Sequence, residues 1–157
     1  MQHGSVTAED LRAAGWETIP EEGFLGHVGP MWQWTGADGP RFGFIAEPKH
    51  HNKRGVVQGG MLMTFADRSM ALAGRALTGN MPQATIQLDI HFVSAVDIGE
   101  FVESRAEVVR RTSSLLFIRG TLSVGDRIVA TGNGIWKVMR PERGKPAGAA
   151  ALQPAEP

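Results

Sequence analysis

Apolar and polar positions alternate with a period of two from Ala84 to Val138, and the alternation predicts four strands. These are Ala84 to Val93, Glu100 to Arg110, Leu115 to Val124 and Arg127 to Val138, with turns at Asp97-Ile98-Gly99 and Gly125-Asp126. Upstream, Phe42, Phe44 and Ala46 alternate within a predicted strand from Arg41 to Glu47, entered from the turn Ala37-Asp38-Gly39-Pro40. The apolar run Phe24 to Trp34 reads as a further strand, bent at Gly29-Pro30. Thr7 to Ala14 has the pattern of a short helix, with Thr7 as N-cap, Asp10 three residues on and Gly15 as its stop.

Between the two groups of strands lie a polar loop, Pro48 to Gln58, and one long helix, about Gly60 to Leu77, stopped by Gly79. Met61, Leu62, Met63, Phe65, Ala66, Met70, Leu72, Ala73, Ala76 and Leu77 make it apolar on most of its circumference. Thr64, Asp67, Arg68, Ala71 and Arg75 form the narrow polar strip that remains. Such a helix needs a sheet wrapped around it or a second subunit to cover it. Two strands, a long helix, then a meander of four strands predict an α+β fold with an antiparallel sheet over one helix.

Three segments follow: an N-terminal extension at 1–20, a main domain at 21–140 and a tail at 141–157. The tail is rich in Pro, Ala, Gly and charge and is expected to be disordered. A length of 157 residues suits a single core. The 16 basic and 16 acidic side chains cancel, which argues against a nucleic-acid or membrane-surface partner. The absence of cysteine removes thiolate and disulfide chemistry. Met61 to Leu77 is broken by Asp67, Arg68 and Arg75 and is too short to span a bilayer, and no signal peptide is readable, so a cytoplasmic location is expected.

Two features of the long helix can carry chemistry. Gly59-Gly60 lets a ligand approach backbone N–H groups that have no intrahelical partner, and such donors stabilise an oxyanion. Asp67 is a carboxylate on a largely buried helix, able to act as general base or nucleophile. Each also has a plain structural alternative. A glycine pair suits an ordinary turn, and Asp67 can be solvated or paired with Arg68 or Arg75. Gly59 and Asp67 are eight residues apart, about 12 Å along a helix axis. Both cannot reach one carbonyl carbon within a subunit, so joint catalysis requires at least a dimer.

The run His51-Asn52-Lys53-Arg54-Gly55-Val56-Val57-Gln58-Gly59-Gly60, continuing to Asp67, resembles the active-site signature of hotdog-fold acyl-CoA thioesterases, in particular the PaaI-like branch. The likeness extends through Thr85 to Phe92, Ala95 to Gly99 and Ile135 to Val138. It implies a hotdog fold, a curled antiparallel sheet wrapped around one long central helix. It further implies that the Gly59 N–H polarises a thioester carbonyl and that Asn52 holds the carbonyl or the attacking water. Asp67 of the neighbouring subunit would activate that water or attack directly, with Thr85 orienting it. The clear departure is Gln58, where the family carries His; Gln still donates and accepts hydrogen bonds but cannot titrate near neutrality.

Related proteins place CoA-phosphate contacts at the position of Arg110, Arg111, Thr112 and Ser113, a group that also suits a charged hairpin. Gly60 and, next to the loop, Lys53 and Arg54 are further candidate contacts. The five histidines show no metal-ligand spacing, so no metal is expected, and no cofactor beyond the CoA of the substrate. The resemblance implies hydrolysis of a small-to-medium acyl- or aryl-CoA by a homo-oligomer, a dimer at least and, as in the family, a tetramer made of dimers. The alternatives are an acyl-CoA binder or sensor without turnover and, further off, a hotdog hydratase.

Overall fold

The computed structural model describes residues 5–139. Its elements run α1 (Ala8–Ala13), β1 (Glu17–Ile19), α2 (Gly23–Val28), β2 (Met31–Gly36), β3 (Gly39–Ile45), a 3₁₀ turn (Pro48–His50), α3 (Gly59–Ala76), β4 (Gln83–Phe92), β5 (Phe101–Arg111), β6 (Leu115–Val124) and β7 (Arg127–Val138). Thr7 caps α1 reciprocally: its hydroxyl accepts from the Asp10 N–H at 3.2 Å, and the Asp10 carboxylate accepts from the Thr7 N–H at 2.9 Å. The tail from 141 lies outside the described residues.

The strands form one sheet in the order β1-β2-β3-β5-β6-β7-β4, with every neighbouring pair antiparallel. Helix α3 packs against one face of it. Met61, Leu62, Phe65, Ala66, Ser69, Met70 and Gly74 are its buried positions, a stripe of helical spacing. Phe65 meets Phe44 of β3 at 4.9 Å between ring centres, and Trp136, Leu116 and Ile118 complete the core beneath the helix. At the β1–β3 end, Leu11, Trp16 and Trp32 form a second buried cluster. Strand alternation sends Met31 into the main core and its neighbour Trp32 into this one.

Two expectations are corrected. Phe24 to Val28 is helical rather than extended. Leu25 and Val28, three residues apart, both turn toward the core while Phe24 is exposed, so a five-residue apolar run satisfied a helical period as readily as a strand. Only Met31 onward is strand, after a cis Gly29–Pro30 bond. The four later strands are not a simple meander, because β4 pairs with β7 at the sheet's far edge. The two edges of β5 are taken by β3 and β6. Met63 and Leu77 of the helix are exposed, so its apolar circumference is only partly covered within one chain, one of the two arrangements that its pattern allows.

Candidate active site

The segment before α3 is a folded loop rather than a loose one. His50 is buried; its Nδ1 accepts from the Glu47 N–H at 3.0 Å and its Nε2 lies 2.7 Å from the Val28 carbonyl. That geometry assigns the neutral Nε2–H tautomer. Burial pushes the imidazole below its ordinary value, with adjacent Lys49 acting in the same direction. Asn52 then closes a tight turn. Its side-chain oxygen accepts from the Arg54 N–H at 2.8 Å, its carbonyl accepts from the Gly55 N–H, and Gly55 takes a positive φ of 82° that a side chain would disfavour. The Val57 N–H bonds to the Val96 carbonyl, which fixes the loop against the β4–β5 connection. The entry of α3 is therefore set by three separate anchors.

Gln58 is the N-cap of α3, and its side-chain oxygen accepts from the Gly59 N–H at 2.9 Å. The Gly60 N–H has no hydrogen-bond partner among the described residues. A Cβ built on Gly59 would lie 3.1 Å from the tip of the Phe92 ring, so Phe92 packs directly against this glycine. Phe92 was not singled out from the sequence. The signal that pointed to it was the glycine itself, whose missing side chain has to be explained by a close neighbour.

Asp67 sits half-buried in the middle of α3. Neither arginine of the polar strip reaches it. Arg68 pairs with Glu21 at 2.5 Å, and Arg75 donates to the Asn80 carbonyl at 3.3 Å. Instead, the Thr85 hydroxyl donates to the Asp67 carboxylate at 2.6 Å, the short distance of a charge-assisted bond. Strand β4 thus runs beside the helix in the opposite direction. Gln83 lies by Gly74, Thr85 by Asp67 and Phe92 by Gly59.

The predicted phosphate contacts divide. Arg111 donates to the Leu77 carbonyl at the C-terminal end of α3 at 2.5 Å, and the Thr112 hydroxyl accepts from the Leu115 and Ser114 N–H groups. Both hold the β5–β6 hairpin in place. Arg110 is exposed beside a bulge in β5, Ser113 is exposed in the turn, and Lys53 and Arg54 are exposed beside the loop. Recesses of about 870 Å³ near Ser5, Asp97 and Arg127 and about 510 Å³ over Arg105, Arg119 and Asn133 contain none of Asn52, Gly59, Asp67 or Thr85.

With this geometry in hand, comparison with known proteins decides the family. The model of the thioesterase superfamily matches residues 54–131, from the loop through α3 to β7. The chain belongs to the thioesterase superfamily. A curated protein of Pseudomonas aeruginosa named as an esterase is 29% identical over 92 residues, covering 57% of this chain and 68% of its own. A mutant of the phenylacetic acid degradation protein PaaI from Thermus thermophilus shares the fold with a TM-score of 0.65 at 20% identity, covering 74% of this chain and 98% of that one. A Bacillus halodurans protein solved with CoA superposes with a TM-score of 0.64 at 23% identity, covering 75% of this chain and 78% of that one. The hotdog architecture expected from the sequence is the one observed, and superfamily membership supports thioester hydrolysis as the general chemistry. No helix of the described residues is long and apolar enough to cross a membrane.

Proposed function

We propose that this thioesterase-superfamily protein hydrolyses a small-to-medium acyl- or aryl-CoA thioester at a site shared by two copies of the chain. The observation that carries the reading is the Asp67–Thr85 pair beside the free edge of β4. An unpaired strand edge with exposed Ile86, Phe92 and Val93 favours pairing with another strand. Two β4 strands pairing antiparallel, with Thr85 opposite the partner's Phe92, bring Asp67 of one chain toward Gly59 of the other. That removes the separation of about 12 Å that keeps the two apart along one helix.

In the reaction, Asp67 takes a proton from water as the water oxygen bonds to the thioester carbon. The carbonyl electrons move onto oxygen, where helix-terminal N–H donors of Gly59 and Gly60 and the Asn52 carboxamide NH₂ stabilise the charge. Collapse breaks the C–S bond, the CoA thiolate takes up the proton, and free acid and CoA leave. Thr85 fixes the orientation of the carboxylate. Direct attack by Asp67, giving an anhydride that water then cleaves, uses the same groups. The Bacillus halodurans relative solved with CoA supports a CoA-type substrate, and the exposed side chains of Arg110, Ser113, Lys53 and Arg54 are the proposed contacts to its phosphates.

The test is release of free thiol from a panel of acyl- and aryl-CoAs by purified protein, with its mass in solution measured in parallel. Turnover lost on Asp67→Asn and a dimer or larger assembly support the reading. A monomer that hydrolyses, or Asp67→Asn at full rate, overturns it. A second reading, binding or sensing of acyl-CoA without turnover, is favoured by Gln58 occupying the Gly59 N–H. Calorimetric binding of an acyl-CoA that wild type does not hydrolyse would select it.

A further inference from the structure

In the hydrolytic reading, the Gly59 N–H must point at a substrate carbonyl, yet the structure shows it already bonded to the Gln58 side chain at 2.9 Å. The occupant is a carbonyl oxygen, so it has the same hydrogen-bonding character as the group expected to replace it. Gln58 is exposed and otherwise attached through its backbone, whose N–H donates to the His50 carbonyl and whose carbonyl accepts from the Met61 N–H. Its carboxamide can therefore swing away without disturbing the start of α3. On the other side, the tip of the Phe92 ring closes off the Gly59 backbone.

We infer that Gln58 is a positioning residue that holds the Gly59 N–H in a self-capped resting state and yields it only to a stronger acceptor. This rests on the hydrolytic reading and adds to it the order in which the bonds exchange. A carboxamide oxygen is a better acceptor than a thioester carbonyl, so the intact substrate displaces Gln58 poorly. An oxyanion carries a full charge and is bonded about twice as strongly as a neutral acceptor. The exchange is favourable only as the tetrahedral species forms. The bond to Gly59 is then made chiefly in the transition state, which is where a hydrogen bond raises kcat rather than merely tightening binding. The cost is that each turnover must break the cap.

Two measurements on the full chain test this. The first follows hydrogen exchange of the Gly59 amide by NMR in wild type and in Gln58→Met, which keeps the side-chain length and removes both polar atoms. The cap predicts slower exchange in wild type by about two- to tenfold, the range of one net hydrogen bond. The second compares kcat/KM, which removal of an internal competitor raises by a similar factor. Equal Gly59 exchange in the two proteins overturns the cap. A lower kcat/KM in a Gln58→Met protein of unchanged fold also overturns it, and assigns Gln58 to the substrate instead. An unchanged kcat/KM likewise overturns it, and points to Gly60 as the working donor. Wild type that hydrolyses no thioester ends the hydrolytic reading, and the exchange comparison then decides the cap alone.

Discussion

The Thr85 hydroxyl donates to the Asp67 carboxylate at 2.6 Å, joining the edge strand β4 to the middle of α3. The bond engages one of the two carboxylate oxygens, Oδ1. Thr85→Val keeps the shape and removes the donor. We expect kcat to fall about tenfold with KM little changed, whereas Asp67→Asn should lower kcat by about 10²- to 10⁴-fold, the usual span for loss of a general base. Thiol-release kinetics on the same acyl-CoA check both, with circular dichroism confirming the fold.

The two arginines at the end of β5 should behave differently, although they are adjacent. Arg111 is committed to the Leu77 carbonyl, and Arg110 has no such tie. Arg110→Ala should raise KM for CoA thioesters severalfold at low salt, an effect that shrinks as ionic strength screens the charge. Arg111→Ala should leave KM alone and cost about 0.5–1 kcal/mol of stability, modest because the group is exposed. Urea unfolding and KM at two salt concentrations separate the roles. A KM effect from Arg111 would return it to the ligand.

Much of this molecule is written in residue pattern. Strands β5, β6 and β7 and helix α3 fall within a residue or so of the positions that alternation and the Gly59 and Gly79 boundaries predict. The pairing of β4 with β7 is not written there, because alternation shows which residues face inward but not which edge a strand joins. Strand β1, three residues long, carries too short a pattern to be seen. Of the candidate site, Gly59 and Asp67 are singled out by helix geometry and Asn52 and Thr85 by the resemblance, and the structure joins Thr85 to Asp67. The engagement of Gln58 with Gly59 and of Arg68 with Glu21 was not, since each depends on which of several polar neighbours a side chain reaches. The Arg68 partner lies 47 residues away, beyond any local pattern.

Gly74 tests how tightly α3 is pressed on the sheet. A Cβ there would stand 2.8 Å from the Leu116 side chain and 3.0 Å from Ile118. Alanine favours a helix over glycine by about 1 kcal/mol, and overpacking a core typically costs about 1–3 kcal/mol. Both leucine and isoleucine neighbours are fully buried, so little room exists for them to shift. Gly74→Ala should therefore be destabilising on balance, by about 1 kcal/mol, and should lower the urea midpoint. A higher midpoint would mean that the helix can move off the sheet at this point.

The loop that positions Asn52 should weaken in acid. Folded His50 is held neutral, with its value pushed below the ordinary 6.5 by burial and by Lys49, whereas the unfolded chain titrates normally. Above that ordinary value both states are neutral and the contribution is complete. As pH falls toward the folded value, the unfolded state takes up the proton more readily, so stability drops. Protonation in the fold would also replace the Nδ1 acceptor with a donor facing the Glu47 N–H. Urea midpoints measured at pH 7.5 and pH 5.5 should fall more for wild type than for His50→Asn, whose side-chain oxygen can accept but does not titrate. Equal losses in the two proteins would place the acid sensitivity elsewhere, with Asp10 the next group to examine. Its carboxylate is held below its ordinary value by Thr7, so its support for α1 persists until more acidic pH and is lost as pH falls through that lowered value. The two groups are thus distinguishable by the pH at which each transition begins.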